Sequence, residues 1–442
     1  MRMMELPMKR NTQESAGAVD VSGDAQWTWL VYMAGDNNLE GAGKDDLREM
    51  QQVGSTAQVN VIVQFDTEEN KTTRYRVEKN KLKVEQEMPG VDCGDPKVLT
   101  DFIKWGSQKY PAKHYLVDVW NHGGGWENLP GNFNYDSIRA AKPRRGSSLL
   151  RVKRSLFRTT VHKIQQKSVT TLPYEFSGTE SQEEVAARAI AIDCGSHDYL
   201  DNQELRDAVL KALPNGKKVD LLGCDACLMN MLEICYEMKD AANFMVGSEE
   251  TEPGAGWPYA SILQALTTNP SMSPADLAKT IVTRYGEWYH KNGDPARDIA
   301  ATQSALDISR LQPVADAVNE LADAFVKDLN NVAGGVSLAR DKSQKFEYPE
   351  YVDLGDFAGQ VITRLPQDAS VKEAATKIRN ALHPETGNGF VIRNATWGIN
   401  VRRACGVSIY FPHREDYAAD YAELAFSKEG RWKGFLEAFF EV

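Results

Sequence analysis

The chain has 442 residues, more than one hydrophobic core usually supports, so a large α/β domain with a smaller second region is expected. Its 42% hydrophobic and 26% charged residues, with no apolar run long enough to cross a bilayer, argue against a membrane-spanning protein. A formal net charge of -11 argues against general nucleic-acid binding.

Residues 1–26 are polar and rich in Gly, Ser and Asp, and read as a flexible leader. Lys9 and Arg10 are followed by no apolar stretch, so no secretory signal is legible in the chain as given, and a signal removed earlier would leave the same picture. The compartment stays open. Trp27 to Met33 predicts a first strand, ending at Gly35-Asp36-Asn37-Asn38 before a helix from Glu40 to Val53. Val59 to Phe65 is a second β-rich run. Arg74 to Val77 and Leu82 to Glu87 predict a solvent-facing hairpin turning at Lys79-Asn80-Lys81. A helix over Pro96 to Lys109 and a strand over Tyr115 to Trp120 complete a strand, helix, strand, helix, strand rhythm, which implies a mostly parallel sheet.

After an insert the rhythm resumes with a strand at Ala189 to Asp193. A helix opened by the capping box Asp201-x-x-Glu204 follows, then a strand at Val219 to Leu222, a helix at Leu228 to Met238 and a strand at Phe244 to Gly247. The core is therefore drawn over residues 27–260, with a C-terminal α/β region over 261–442 packed on it. In that region helices are expected at Ser273 to His290, Gln312 to Leu329, Leu354 to Ile362 and Val371 to Leu382. Strands are expected at Thr302 to Ile308, Gly389 to Ile392 and Gly406 to Phe411. A last helix, Trp432 to Phe440, carries an apolar stripe at Trp432, Phe435, Leu436, Phe439 and Phe440 that packs most simply on its own domain.

The insert, about Glu127 to Arg188, is unlike the rest. Between Arg139 and Lys167 it holds ten Lys/Arg and no Asp or Glu, whereas the remainder of the chain has 41 basic against 62 acidic residues. An acidic body thus carries one basic segment. A disordered loop or a phosphate-binding arm would have the same composition.

Two strand ends carry the chemistry. Tyr115 to Trp120 stops at Asn121-His122-Gly123-Gly124-Gly125, and Val219 to Leu222 stops at Gly223-Cys224-Asp225-Ala226-Cys227. Parallel sheets build sites at such ends. Gly123 lets the backbone approach a ligand, so its amide is a candidate oxyanion donor with that of Cys227. Cys227 is expected where a strand turns into a helix, whose N-terminal dipole would favour a thiolate. Asp225, two residues earlier, would present a carboxylate for Arg or Lys of a substrate, or cap the turn. Glu249 and Glu250 could add charge to the same mouth. Cys224-x-x-Cys227 also permits a redox pair or half a zinc site, although a second ligand pair of matching spacing is lacking. Asp36-x-Asn38-x-Glu40-Gly41 begins like a calcium loop, but Leu47 stands where an EF-hand needs a bidentate Glu. Six cysteines in a chain of this length are expected to be free thiols.

Three segments together, Trp29 to Leu39 (WLVYMAGDNNL), Asn121 to Trp126 (NHGGGW), and Cys224 to Met229 (CDACLM) followed by Gly247 to Thr251 (GSEET), resemble the clostripain (C11) family of cysteine peptidases. The resemblance covers residues 27–260 clearly and the remainder by general layout. It implies a caspase-like α/β sandwich, His122 as catalytic histidine, Cys227 as nucleophile and Asp225 in the specificity pocket. It also implies cleavage after Arg or Lys and maturation by self-cleavage between the two catalytic strands. Within the basic insert, Arg144, Arg145, Arg151 and Arg154 are candidate processing residues. The partners so implied are proteins or peptides with Arg or Lys, with no nucleic acid and no membrane. No cofactor is required, and calcium is possible. The contrasting expectation is a non-enzymatic caspase-like module whose basic loop recruits an acidic partner.

Overall fold

The computed structural model describes residues 25–127, 133–140, 190–292, 300–383, 387 and 389–442, together with the backbone of Phe157 and Arg158. Its strands are β1 (Ala25–Ala34), β2 (Val59–Thr67), β3 (Lys71–Glu78), β4 (Lys81–Pro89), β5 (Ala112–Trp120), β6 (Phe157–Arg158), β7 (Ile190–Asp193) and β8 (Asp198–Leu200) in the first half. The second half adds β9 (Val219–Asp225), β10 (Ala242–Gly247), β11 (Glu252–Pro253), β12 (Ala301–Asp307), β13 (Tyr351–Asp353), β14 (Val391–Trp397) and β15 (Ser408–Tyr410).

Nine of these form one sheet in the order β14-β12-β10-β9-β5-β1-β2-β3-β4. Its centre, from β10 to β2, is parallel, and an antiparallel pair extends each edge. Central parallel strands are covered on both faces, and for that reason β1 is an almost unbroken apolar run. Its alternate residues enter two different cores: Leu30, Tyr32 and Ala34 on one face, Trp27, Trp29, Val31 and Met33 on the other. Helices cover both faces, giving the α/β sandwich that the resemblance implied.

Several expectations need adjusting. The predicted hairpin is present as β3-β4 with β4 largely exposed, and β3 also pairs with β2, so the hairpin continues the sheet. The strands β12 and β14, which lie beyond residue 260, extend the same sheet at its other edge. Helices at Tyr259–Thr268 and Leu329–Lys342 are additions to those read from the sequence. The capping box is present: Asp201 Oδ1 accepts from the Glu204 amide, and the Glu204 carboxylate accepts from the Asp201 amide. The apolar stripe of the last helix docks at home, with Trp432 Nε1 donating to the Tyr410 carbonyl (2.8 Å) and Phe435 against Phe325 and Phe411.

Glu233 joins this C-terminal segment to the core. Its fully buried carboxylate accepts from the Tyr410 amide (2.9 Å) and the Tyr421 hydroxyl (3.1 Å). Burial pushes its pKa up to about 7. A carboxyl whose folded pKa is raised binds its proton more tightly when folded, so stability is lost as pH rises from the unfolded carboxylate range towards 7. Glu233→Gln should therefore flatten a thermal-stability profile between about pH 4.5 and 7.

Candidate active site

The parallel strands β1, β5 and β9 end at one edge, and their following loops meet there. Trp120 of β5 lies opposite Asp225 of β9, so the chains carrying His122 and Cys227 leave the sheet side by side. Gly123 sits directly on the backbone of Cys227. A methyl group there would fall 2.9 Å from the Cys227 nitrogen and closer still to its carbonyl oxygen, so only glycine fits. Gly125 needs glycine for a different reason, its φ of 88°. The carbonyl of Gly124, between them, accepts from the Tyr351 hydroxyl (3.0 Å), which fixes the glycine loop from the C-terminal side.

His122 is fully buried, and its Nε2 lies 2.7 Å from Asn38 Oδ1. An amide oxygen only accepts, so this contact sets the tautomer with the hydrogen on Nε2. Asn38 belongs to the loop after β1, a segment read from sequence only as a helix cap or a failed calcium loop. Its neighbours hold the loop in place. Asn37 Nδ2 donates to the Ala34 (3.0 Å) and Ile192 (2.9 Å) carbonyls. Asn121, next to His122, donates to the same Ala34 carbonyl and accepts from the Ile192 amide (2.9 Å). Asp36 pairs with Arg139, the first basic residue of the insert.

Cys227 is also fully buried, and its Sγ accepts from the Glu252 amide at 3.1 Å. The expected helix N-terminus is not there. The helix runs only over Leu232–Glu237, five residues beyond the thiol, and Leu228 in between adopts φ 62°. β9 continues to Asp225 instead, and the left-handed Leu228 turns the chain before any helix begins. The sulfur is thus polarised by one backbone amide rather than by a helix dipole. Burial raises the pKa of the other five cysteines, Cys93, Cys194, Cys224, Cys235 and Cys405. No disulfide links any of the six. Among the described residues, the group close enough to hold a metal is Asp66, Cys93 and Asp193, and it does not include Cys224 or Cys227.

The strand that offers this amide, β11, has a partner from the insert. β6 pairs with it antiparallel, Arg158 opposite Glu252 and Phe157 opposite Pro253. A piece of the basic segment therefore lies as an added strand beside the thiol. Arg144, Arg145, Arg151 and Arg154 fall outside the described residues.

The acids divide. Asp225 is fully buried, with Oδ2 accepting from the Tyr259 hydroxyl at 2.8 Å. The same hydroxyl is 3.1 Å from Asp118 Oδ2, to which Trp29 Nε1 also donates (3.3 Å). Glu249, expected at the mouth, is instead turned towards the C-terminal region, accepting from the Gly406 amide (2.8 Å) and hydrogen-bonded to Asp353. Burial and the Asp353 carboxyl raise its pKa, so the two acids share a proton. Glu250 turns back on the chain to accept from the Thr251 amide (2.7 Å). Burial, and after it Tyr289, Glu252 and Asp225, oppose ionisation of the Tyr285 hydroxyl, which makes no hydrogen bond in this structure.

Comparison with known proteins follows the same lines. The profile of the clostripain family matches residues 31–138 and 177–439. Clostripain of Hathewaya histolytica is 25% identical over 269 residues, which are 54% of this chain and 42% of that protein. The chain thus spans less than half the length of this curated relative. A secreted C11 cysteine protease from Bacteroides thetaiotaomicron, "iotapain", shares the fold with a TM-score of 0.61 at 16% identity, over 92% of this chain and 100% of that one. An inactive zymogen C11 protease from Parabacteroides distasonis gives 0.62 at 18% identity, over 92% and 99%.

Proposed function

The chain belongs to the clostripain family, and on that premise we propose that it is a cysteine endopeptidase cleaving after Arg or Lys, with Cys227 and His122 as its catalytic pair. The observation that carries this reading is the seating of Gly123 on the Cys227 backbone, which brings the loop of the imidazole onto the loop of the thiol. Cys227 attacks the scissile carbonyl, and its sulfur–carbon bond forms as the carbonyl electrons move onto oxygen. The Gly123 and Cys227 amides take that oxyanion. With Nε2–H held by Asn38, His122 keeps Nδ1 to receive the thiol proton and pass it to the departing amine; water then releases the acyl-enzyme.

Asn38 orients the base, a role filled by no residue in the sequence reading. Asn38→Ala should lower kcat about tenfold to a hundredfold with a smaller change in KM, measured on a fluorogenic Arg peptide.

Asp225 supplies the charge that selects Arg or Lys, by a charge-assisted hydrogen bond within a buried site. Asp225→Asn should cost Arg substrates about two orders of magnitude in kcat/KM. An unchanged Arg preference in that variant would remove Asp225 from the pocket.

Maturation by self-cleavage in the insert fits the β6-β11 pairing, because a strand added beside the thiol occupies the track an extended substrate would use. Purified precursor should break on incubation into fragments whose new N-termini follow Arg or Lys between residues 127 and 188, read by terminal sequencing. The ten basic residues of the insert offer the bonds. Fragments arising after other residue types would sink the specificity.

A further inference from the structure

We propose that Asp118 and Tyr259 are positioning residues for substrate selection, acting through Asp225; the inference rests on the reading of Asp225 as the acid that receives the substrate's cation. Asp225 stands at the end of β9, and Asp118 lies on the neighbouring strand β5, in register with Gly223. Both carboxylates are fully buried. Gly223 makes room for this arrangement: a methyl group there would fall 3.1 Å from Asp118 Oδ1 and 2.9 Å from the Trp257 ring.

Tyr259 spans the gap between the two acids, 2.8 Å from Asp225 Oδ2 and 3.1 Å from Asp118 Oδ2. A phenol has one hydrogen, and one hydrogen cannot fully satisfy two carboxylates. The hydroxyl therefore couples the two acids. Trp29 Nε1 holds Asp118, Asp118 holds the phenol, and the phenol holds Asp225. Nothing in this unit is loose, since Tyr259 is itself fully buried with its ring against Trp29 (5.7 Å) and Trp257 (6.4 Å). The phenol fixes the direction from which a guanidinium or ammonium is met by Asp225. Asp118 sits two residues further back along the sheet than Asp225, opposite Gly223, and meets it through Tyr259.

The test compares three peptide substrates with Arg, Lys or the uncharged isostere citrulline at the cleaved position, on the mature enzyme and on Tyr259→Phe. The expected result is a rise of about tenfold in KM for the Arg substrate, the scale of one hydrogen bond to a charged group, with kcat within about twofold. Citrulline cleavage and the rate of Cys227 alkylation by iodoacetamide should not change. Asp118→Asn should move the Arg KM in the same direction, and Tyr259→Phe, the milder change, keeps the test open should that variant not fold. An unchanged Arg KM in Tyr259→Phe would overturn the proposal, as would equal losses on Arg and citrulline substrates, which mark a general structural defect. Asp225→Asn separates the two levels. If it abolishes the Arg preference while Tyr259→Phe does nothing, only the positioning role fails; if it too leaves the preference intact, the reading beneath it falls as well.

Discussion

Cys227→Ala is expected to abolish peptide hydrolysis and self-cleavage together, with a loss on the order of 10⁴-fold or more, while the protein stays folded. The reason lies in the small size of the change. The sulfur is a small buried group that accepts a hydrogen bond from the Glu252 amide. Removing it leaves that amide short of a partner and a space smaller than a water molecule, a cost of about 1–2 kcal/mol. A chain of this size tolerates such a loss with a shift of only a few degrees in melting temperature, roughly. Circular dichroism and thermal melting should be close to those of the parent, and the insert should remain uncut in purified protein after long incubation. Persistent self-cleavage, once contaminating proteases are excluded, would show that another residue is the nucleophile. Cys224→Ala provides the contrast. Its thiol is held protonated by burial, and activity should survive the change.

Gly123→Ala should be nearly as damaging by another route. The added methyl would fall against the backbone of Cys227 and 3.0 Å from the Ala226 Cβ. The Cys227 atoms on that side are backbone of the loop directly after β9 and cannot swing aside as a side chain would, so the two loops must separate. Overpacking of this kind costs about 1–3 kcal/mol in stability. For catalysis the penalty is larger, because a displacement of about 1 Å between reacting groups loses on the order of a hundredfold in rate. The expected outcome is a folded protein of lowered melting temperature with kcat/KM reduced at least a hundredfold on every substrate tested. Losses confined to Arg substrates would point to the specificity pocket and away from the catalytic pair. The substitution thus distinguishes the role of the loop from that of Asp225.

The β11-β6 pairing bears on both experiments. Cys227 and His122 are fully buried in the described chain, and a strand of the insert lies beside the thiol. Uncut Cys227→Ala protein should therefore bind an Arg peptide weakly and without cleaving it, and limited trypsin digestion within residues 127–188 should tighten that binding.

Much of this architecture was readable from the sequence. Apolar runs such as Trp27 to Met33 and Val219 to Leu222 state a buried parallel strand through composition alone, since a strand covered on both faces has no polar side to present. The capping box at Asp201 followed from local rules, because capping groups and the residues they serve lie within one turn of each other. The helix Glu40–Val53 was placed correctly, but the polar side chains of Gly35-Asp36-Asn37-Asn38 do not cap it, since its N-cap is Leu39 with no side-chain cap hydrogen bond. His122 and Cys227 stood out because each ends such a run.

What the sequence could not supply were contacts between residues distant along the chain. Asn38 meets His122 across 84 positions, and Tyr259 meets Asp118 across 141. No periodicity encodes either contact. Local reading also misplaced the activation of the thiol: a helix was expected directly after Cys227, but the positive φ of Leu228 delays it to Leu232, and the polarising amide comes from Glu252 instead. Glu249 and Glu250 looked alike as neighbouring acids, yet one is bound to Gly406 and Asp353 and the other folds back on Thr251. The sequence by itself determined the central apolar strands and marked His122 and Cys227 beyond the ends of two of them, since these depend on side chains a few positions apart. Only the tertiary structure decided which groups meet the imidazole, the sulfur and Asp225, since those contacts arise when the C-terminal ends of separate central strands are brought together.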